Sequence, residues 1–255
     1  MITTTAAPTS VDNPSLSSDY FKRAYQSIAE GGWDRVNDAI ELLEKHVPPP
    51  ASVIEIGCGS GYISYFLAKK KHYEVTGYDM EPGILAAGNH AIDELSQSGG
   101  RPAVTLRQGN IDALNTHGVA VDAVLALEVI EHVDNPSEFL HLIKGTLKVG
   151  GVLVLSTPNS AGLKNFLPKN VAGIRRSVES LPDYTGGEED HINFWDFQTL
   201  YRVCHRAGFD LIDYRFTNFL IALPVLRRII YIPWLRKVPF VSQLSNNLIF
   251  ALRRR

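Results

Sequence analysis

Hydrophobic residues recur along this chain with two periods, and each period predicts an element. Helical spacing over residues 19–30 and 33–46 predicts two amphipathic helices, the second stopped by Pro48-Pro49-Pro50. Short runs rich in Val, Ile and Leu then predict buried strands at 52–56, 73–78, 103–108, 121–127 and 152–156. Helical patterns fall between them at 61–70, 83–97 and 137–147, with Gly99-Gly100 and Gly150-Gly151 expected to end the last two. A further helix at 197–207, stopped by Gly208, leads to strands at 209–216 and 248–252. Strands alternating with helices predict an α/β domain with a largely parallel sheet.

Two stretches exceed what that scheme needs, 157–195 and 217–246. Connections in compact domains are short, so both are expected to be functional insertions. In a parallel sheet both leave from carboxyl ends of strands, the edge at which open α/β sheets bind ligands. If the last strand runs antiparallel, the second insertion starts and ends there. Residues 1–18, rich in Thr, Ser, Ala and Pro, are expected to form a disordered leader ahead of one domain at 19–255.

Charge modifies this picture. The chain of 255 residues carries a net charge of −2, which taken alone argues against a basic, nucleic-acid-seeking protein. Its distribution is uneven: no acidic residue follows Asp213, while Arg215, Arg227, Arg228, Arg236, Lys237, Arg253, Arg254 and Arg255 do. Two cysteines, Cys58 and Cys204, lack metal-ligand spacing and fit a reducing, cytoplasmic setting. No apolar run approaches the 18 residues of a spanning helix.

The sharpest chemical motif is Glu55-Ile56-Gly57-Cys58-Gly59-Ser60-Gly61, a buried strand entering a helix through alternating glycines. Glycine serves where a chain turns tightly and where backbone approaches a ligand. The third glycine of a dinucleotide fingerprint would fall at Tyr62, so nicotinamide binding is not expected. The loop suits a nucleoside ligand without a pyrophosphate, and Asp79 at the end of the second strand suits ribose hydroxyls.

With these residues the sequence resembles the class I S-adenosylmethionine-dependent methyltransferases over residues 50–215. The resemblance implies a Rossmann-like doubly wound sheet of seven strands, one antiparallel, with residues 19–46 as a helical cap. It also implies that Gly57, Cys58, Gly59 and Gly61 surround the methionine moiety of S-adenosylmethionine and that Glu55 supports the loop. By the same resemblance Asp79 holds the ribose, Met80 packs on the adenine, Asn110 and Ile111 meet the adenine amino group, and Leu127 and Glu128 line the methionine end.

A second series, Glu128-Val129-Ile130-Glu131-His132, Ser156-Thr157-Pro158-Asn159 and His191, resembles two branches of that superfamily. One is the ubiquinone-pathway O-methyltransferases, which act on prenylated catechols. The other is the small-RNA 3′-terminal 2′-O-methyltransferases, whose pattern implies a divalent metal on Glu128, Glu131, His132 and His191. A bound metal lowers the pKa of an acceptor hydroxyl, and Mg, Mn or Zn are the candidates. Without a metal, Glu131, His132 or His191 serves the acceptor directly, histidine being suited to general-base work. The competing reading gives these residues structural roles only.

Residues 217–246 alternate apolar blocks with arginine pairs, and 163–176 form a second basic, apolar stretch. Both fit either an anionic membrane surface or a soluble lid over the substrate. Nucleic acid is a poorer partner, because aliphatic rather than stacking residues interleave the charges. The sequence therefore predicts methyl transfer to a hydroxyl of a small, lipophilic or membrane-presented acceptor, with a catechol or quinone precursor, a sugar and a natural product all open. A non-catalytic scaffold of the same fold and an RNA 3′-end methyltransferase stand as alternatives.

Overall fold

The computed structural model describes residues 17–97, 100–109, 120–162, 191–218, 220–223, 228–231, 238 and 241–255, with backbone only at 220–223 and 228–231. Two helices, α1 (Ser18–Ala29) and α2 (Asp34–His46), precede the alternating body. That body comprises β1 (Ser52–Ile56), α3 (Tyr62–Lys71), β2 (Glu74–Asp79), α4 (Pro82–Ser96), β3 (Val104–Gln108), β4 (Val121–Leu127), α5 (Pro136–Thr146) and β5 (Leu147–Pro158). It continues through α6 (Phe197–Arg206) and β6 (Phe209–Thr217), a short pair β7 (Leu220–Leu223) and β8 (Arg228–Tyr231), and β9 (Asn247–Arg254).

The main sheet has seven strands in the order β3-β2-β1-β4-β5-β9-β6. All pairs among the first five strands are parallel, whereas β9 is antiparallel to both its neighbours. The doubly wound sheet with one reversed strand is therefore as expected. Its strands are apolar on both faces because helices cover both. Phe21, Ile28, Leu42 and Leu43 of the first two helices join α3 and α4 in one apolar cluster, while Phe139, Ile143, Leu200 and Cys204 of α5 and α6 build the other.

Local chemistry explains most boundaries. Ser17 caps α1 by accepting from the Tyr20 amide, Asn135 caps α5 through the Glu138 amide, and Asp196 caps α6 through the Gln198 and Thr199 amides. Gly208 stands at φ +97° just beyond α6, the left-handed stop expected of it. One boundary departs from expectation. The helix expected over 137–147 is α5 and ends at Thr146, but the strand expected to begin at 152 already begins at Leu147. The register with β4 slips between Val121↔Leu147 and Ala123↔Val152, so the glycine pair makes an irregularity within the strand edge.

Within the 217–246 insertion the backbone of β7 and β8 forms an antiparallel ladder, Leu220↔Tyr231 through Leu223↔Arg228. Of the leader expected at 1–18, residues 1–16 lie outside the described residues, as do the stretch 163–190 with its basic portion 163–176, Asn110 and Ile111, whereas Ser17 and Ser18 are ordered as the cap and first residue of α1. Among the described residues no helix is long and apolar enough to cross a membrane.

Candidate active site

The carboxyl ends of β1, β2, β4 and β5 meet at one edge, and most of the residues singled out from the sequence stand there. After β1 the backbone turns through Gly57, Gly59 and Gly61 at φ +68°, +55° and +80°, a region costly for side-chain-bearing residues. A Cβ at Gly57 would stand 2.8 Å from Val129 Cγ2, so this glycine lets the loop after β4 approach. At Gly59 the nearest atom to such a Cβ is 4.0 Å away, leaving an open face of backbone for a ligand. Asp79 holds the loop in place: its Oδ2 accepts from the Gly59 amide at 2.7 Å, and its Oδ1 from the Glu81 amide at 3.0 Å.

Beneath the loop, Glu55 is buried and accepts from Ser64 Oγ. Burial pushes its carboxyl up to about 8. Below about 4.5 the carboxyl is protonated in both folded and unfolded chains; above that only the unfolded chain releases the proton freely. Stability of the unliganded protein is therefore expected to fall as pH rises from about 4.5 to about 8. Calorimetric melting temperatures across that window should fall less steeply for Glu55→Gln, and an unchanged slope would contradict the assignment. Cys58 is buried in the same loop, its thiol pushed up by burial, which makes it inert packing. Met80, next along β2, is 70% exposed and free to cover a flat ligand.

The loop after β4 turns sharply at Glu128, whose φ is +57°. Its carboxylate has three donors: Ser156 Oγ at 2.9 Å on Oε1, and Arg35 Nη1 at 2.9 Å and Asn247 Nδ2 at 3.1 Å on Oε2. Leu127 precedes it, half-buried against the core. Arg35 was not visible as a site residue in the sequence. It sits in the first turn of α2, and no spacing relates it to Glu128. Its Nε is buried without a hydrogen-bond partner among the described residues, and it lines a cavity of about 400 Å³ with Trp33 and Asn218. Tyr20 and Trp33 of the cap both pack edge-on against Tyr62, while Tyr25 packs on Tyr65 and Phe66.

A second cluster forms around the single 3-10 turn Ile130–His132. The Glu131 carbonyl accepts from the amides of Ile192 and Asn193, each at 3.0 Å, and Asn193 Nδ2 donates to the Val133 carbonyl at 2.7 Å. These bonds dock the segment 191–193 against the turn and bring His191 to His132, with ring centroids 4.8 Å apart. Ligand atoms of Glu131, His132 and His191 all lie within 4.8 Å of one another. Glu131 is 1% exposed; its Oε2 accepts from Thr157 Oγ1 at 3.0 Å, and its Oε1 has no partner among the described residues. Burial, then the nearby Glu128, push its carboxyl up to about 8. Of the four expected metal ligands, the structure thus brings three together and holds the fourth, Glu128, in a separate network.

Beside this edge lies a cavity of about 660 Å³ walled by Phe197, Tyr214 and Phe216, with Asn159 and Asp196 among its polar groups. The three rings pack on one another at centroid distances of 5.1, 5.8 and 5.9 Å. The Asn159↔Trp195 bridge connects its rim to the segment that carries His191.

A loop of backbone and an acid thus stand at the edge of a doubly wound sheet, next to a carboxylate and two imidazoles. The family model described as "Methyltransferase domain" matches residues 25–214, and the chain belongs to that family. It is 34% identical over 162 residues to the ubiquinone biosynthesis O-methyltransferase of Cereibacter sphaeroides, covering 63% of this chain and 61% of that protein. The same-named protein of an Azoarcus species is 31% identical over 161 residues, covering 63% and 65%. The matches thus span less than two thirds of either relative. In fold it is similar to the magnesium protoporphyrin IX methyltransferase of Synechocystis solved with bound S-adenosylhomocysteine, with a TM-score of 0.56 at 14% identity over 98% of this chain and 90% of that one.

Proposed function

We propose that this protein is an S-adenosylmethionine-dependent O-methyltransferase acting on a small lipophilic acceptor of the phenol or catechol type. The observation that carries the reading is the meeting, at one sheet edge, of the Gly57–Gly61 loop held by Asp79 with the Glu131, His132 and His191 cluster. The open face at Gly59 and the carboxylate at the end of β2 fit the cofactor. When bound, S-adenosylmethionine supplies an electrophilic methyl group on a sulfonium.

The chain's residues divide the remaining work. Backbone amides of the loop and the Asp79 carboxylate hold the nucleoside, Asp79 accepting from ribose hydroxyls. Arg35, which lines the cavity beside Trp33, offers its guanidinium to the carboxylate of the methionine end. Glu128 fixes Arg35 and accepts from the methionine amine. Methyl transfer is an in-line displacement, so the acceptor oxygen must be aligned with the methyl carbon and relieved of its proton. His132 and His191, both exposed, reach a hydroxyl placed over the turn and take that proton. Glu131, beneath them, fixes the turn through its carbonyl and orients the imidazoles. The aromatic cavity suits an apolar acceptor body.

A divalent metal is a second reading with its own observation, the buried, unpartnered Glu131 Oε1 beside two imidazoles. This donor set of one carboxylate and two histidines fits a zinc- or manganese-type ion better than magnesium. Glu131, His132 and His191 would hold it, and it would supply a lowered pKa for the acceptor hydroxyl. Exhaustive chelation followed by methyl-transfer assay separates the readings. Loss of activity restored by one metal supports the ion, and full activity without metal assigns proton removal to the histidines.

A further inference from the structure

The base of the second insertion makes an ordered chain of amide contacts into the site. Asn247 is the first residue of β9, paired in register with Pro158 on one side and Thr217 on the other, which puts it at the carboxyl edge. It is 8% exposed, and its Nδ2 donates to Glu128 Oε2 at 3.1 Å. Its Oδ1 accepts in turn from Asn218 Nδ2 at 3.1 Å. Asn218 follows the last residue of β6 in a left-handed conformation, φ +59°, and its carbonyl accepts from the Asn246 amide at 3.2 Å and from Asn246 Nδ2 at 2.9 Å. The two ends of the insertion therefore close on each other, and the closure points one amide donor at Glu128.

We propose that Asn247, oriented by Asn218, is a positioning residue that fixes the Glu128 carboxylate against Arg35, so that the base of the inserted hairpin helps seat the cofactor. The inference rests on the reading that Glu128 and Arg35 face the methionine end of S-adenosylmethionine. The physical case is one of geometry. Glu128 sits on a strained, left-handed residue, and its Oε2 is shared between a guanidinium from the cap and an amide from β9. An Arg–carboxylate pair alone leaves freedom about the shared oxygen, and a second donor to the same oxygen reduces that freedom. Asn247 cannot swap its donor for its acceptor without losing two bonds, because Asn218 donates to its oxygen.

Titration calorimetry with S-adenosylmethionine on the full chain tests this by exchanging donor and acceptor. Asn247→Asp keeps size and shape but sets two carboxylates side by side, and is expected to weaken binding about tenfold, more than Asn247→Ala. Glu128→Gln alone is also expected to weaken it about tenfold. The double variant Glu128→Gln/Asn247→Asp restores a donor–acceptor pair and is expected to bind more tightly than Asn247→Asp alone. A role confined to folding predicts the opposite, additive losses, and that result would overturn the proposal. If Asn247→Asp melts too early for calorimetry, Asn218→Gly serves, since it keeps the left-handed backbone and removes only the donor to Asn247. It is expected to weaken binding about threefold, and wild-type affinity would overturn the relay. Asp79→Ala, run alongside, isolates the underlying reading. If it loses affinity while Asn247→Asp binds as wild type, only the role of Asn247 fails. If it binds as wild type, the placement of the cofactor fails and the proposal fails with it.

Discussion

Asp79→Ala is expected to lower affinity for S-adenosylmethionine by about a hundredfold, the loss that accompanies removal of a charged acceptor serving two ligand hydroxyls. The size follows from two roles in one side chain. Under the proposed function Asp79 accepts from the ribose, and it already accepts from the amides of Gly59 and Glu81. Removing it leaves the Gly59 amide without its partner and loosens the loop that must approach the ligand. Asp79→Asn should be milder, because the amide oxygen still accepts from Gly59. Titration calorimetry of the two variants provides the comparison, and equal affinity for Asp79→Ala and wild type would refute the ribose role.

His132→Ala is expected to cut turnover by about a hundredfold or more, with binding of S-adenosylmethionine nearly unchanged. His132 makes its ring contact with His191 and stands outside the Gly57–Gly61 loop, so under the proposed function its loss falls on the acceptor step. Glu131→Ala should cost at least as much, since the Thr157 hydroxyl loses its buried acceptor as well. The split is diagnostic. A turnover loss with cofactor affinity preserved supports proton removal or acceptor alignment, whereas equal loss in both would mean that the turn is only a structural support. His191→Ala should resemble His132→Ala if the two rings serve the same hydroxyl.

Much of this was legible in the sequence, for physical reasons that differ between parts. Strands β1 and β4 were readable almost to the residue because strands covered on both faces are continuous apolar runs with abrupt ends. The glycine loop and Asp79 were readable because close backbone approach requires glycine, and because strand order places the second strand beside the first. The meeting of His191 with Glu131 and His132 followed only from resemblance, since about sixty residues separate them. What brings them together is a pair of backbone bonds to the Glu131 carbonyl, which leave no mark on side-chain identity. Arg35 and Asn247 were missed altogether. Each is a single polar residue at the start of an element, and only the antiparallel placement of β9 and the packing of α2 across the sheet direct both at Glu128. The boundary error at Gly150-Gly151 has a similar origin: a glycine pair signals a break, but pairing with Val121 extended the strand through it.

The opposition between basic and acidic halves also gains a local meaning. Arg215 is not a free basic group, because it pairs with Asp213, which also holds Lys45 of the cap. Burial opposes ionisation of Asp213, but hydrogen bonds from Lys45, the Tyr214 amide and His46 outweigh it and hold the carboxyl down to about 2. Arg255 reaches Asp210 in the same way. Part of the basic excess toward the end of the chain is thus paired with carboxylates of β6, within the strand by Arg215 and from the end of β9 by Arg255.

The proposed reaction is methyl transfer from S-adenosylmethionine to an acceptor oxygen at this edge. Its most direct measurement is incubation of the protein with methyl-labelled S-adenosylmethionine and a panel of phenols and catechols bearing apolar tails, in parallel with an RNA 3′ end, followed by mass spectrometry of the products. The account predicts an O-methylated catechol or phenol, formed in proportion to S-adenosylhomocysteine and lost with Asp79→Ala and His132→Ala. Label appearing on RNA alone, or tight cofactor binding with no transfer to any acceptor in the panel, would contradict it.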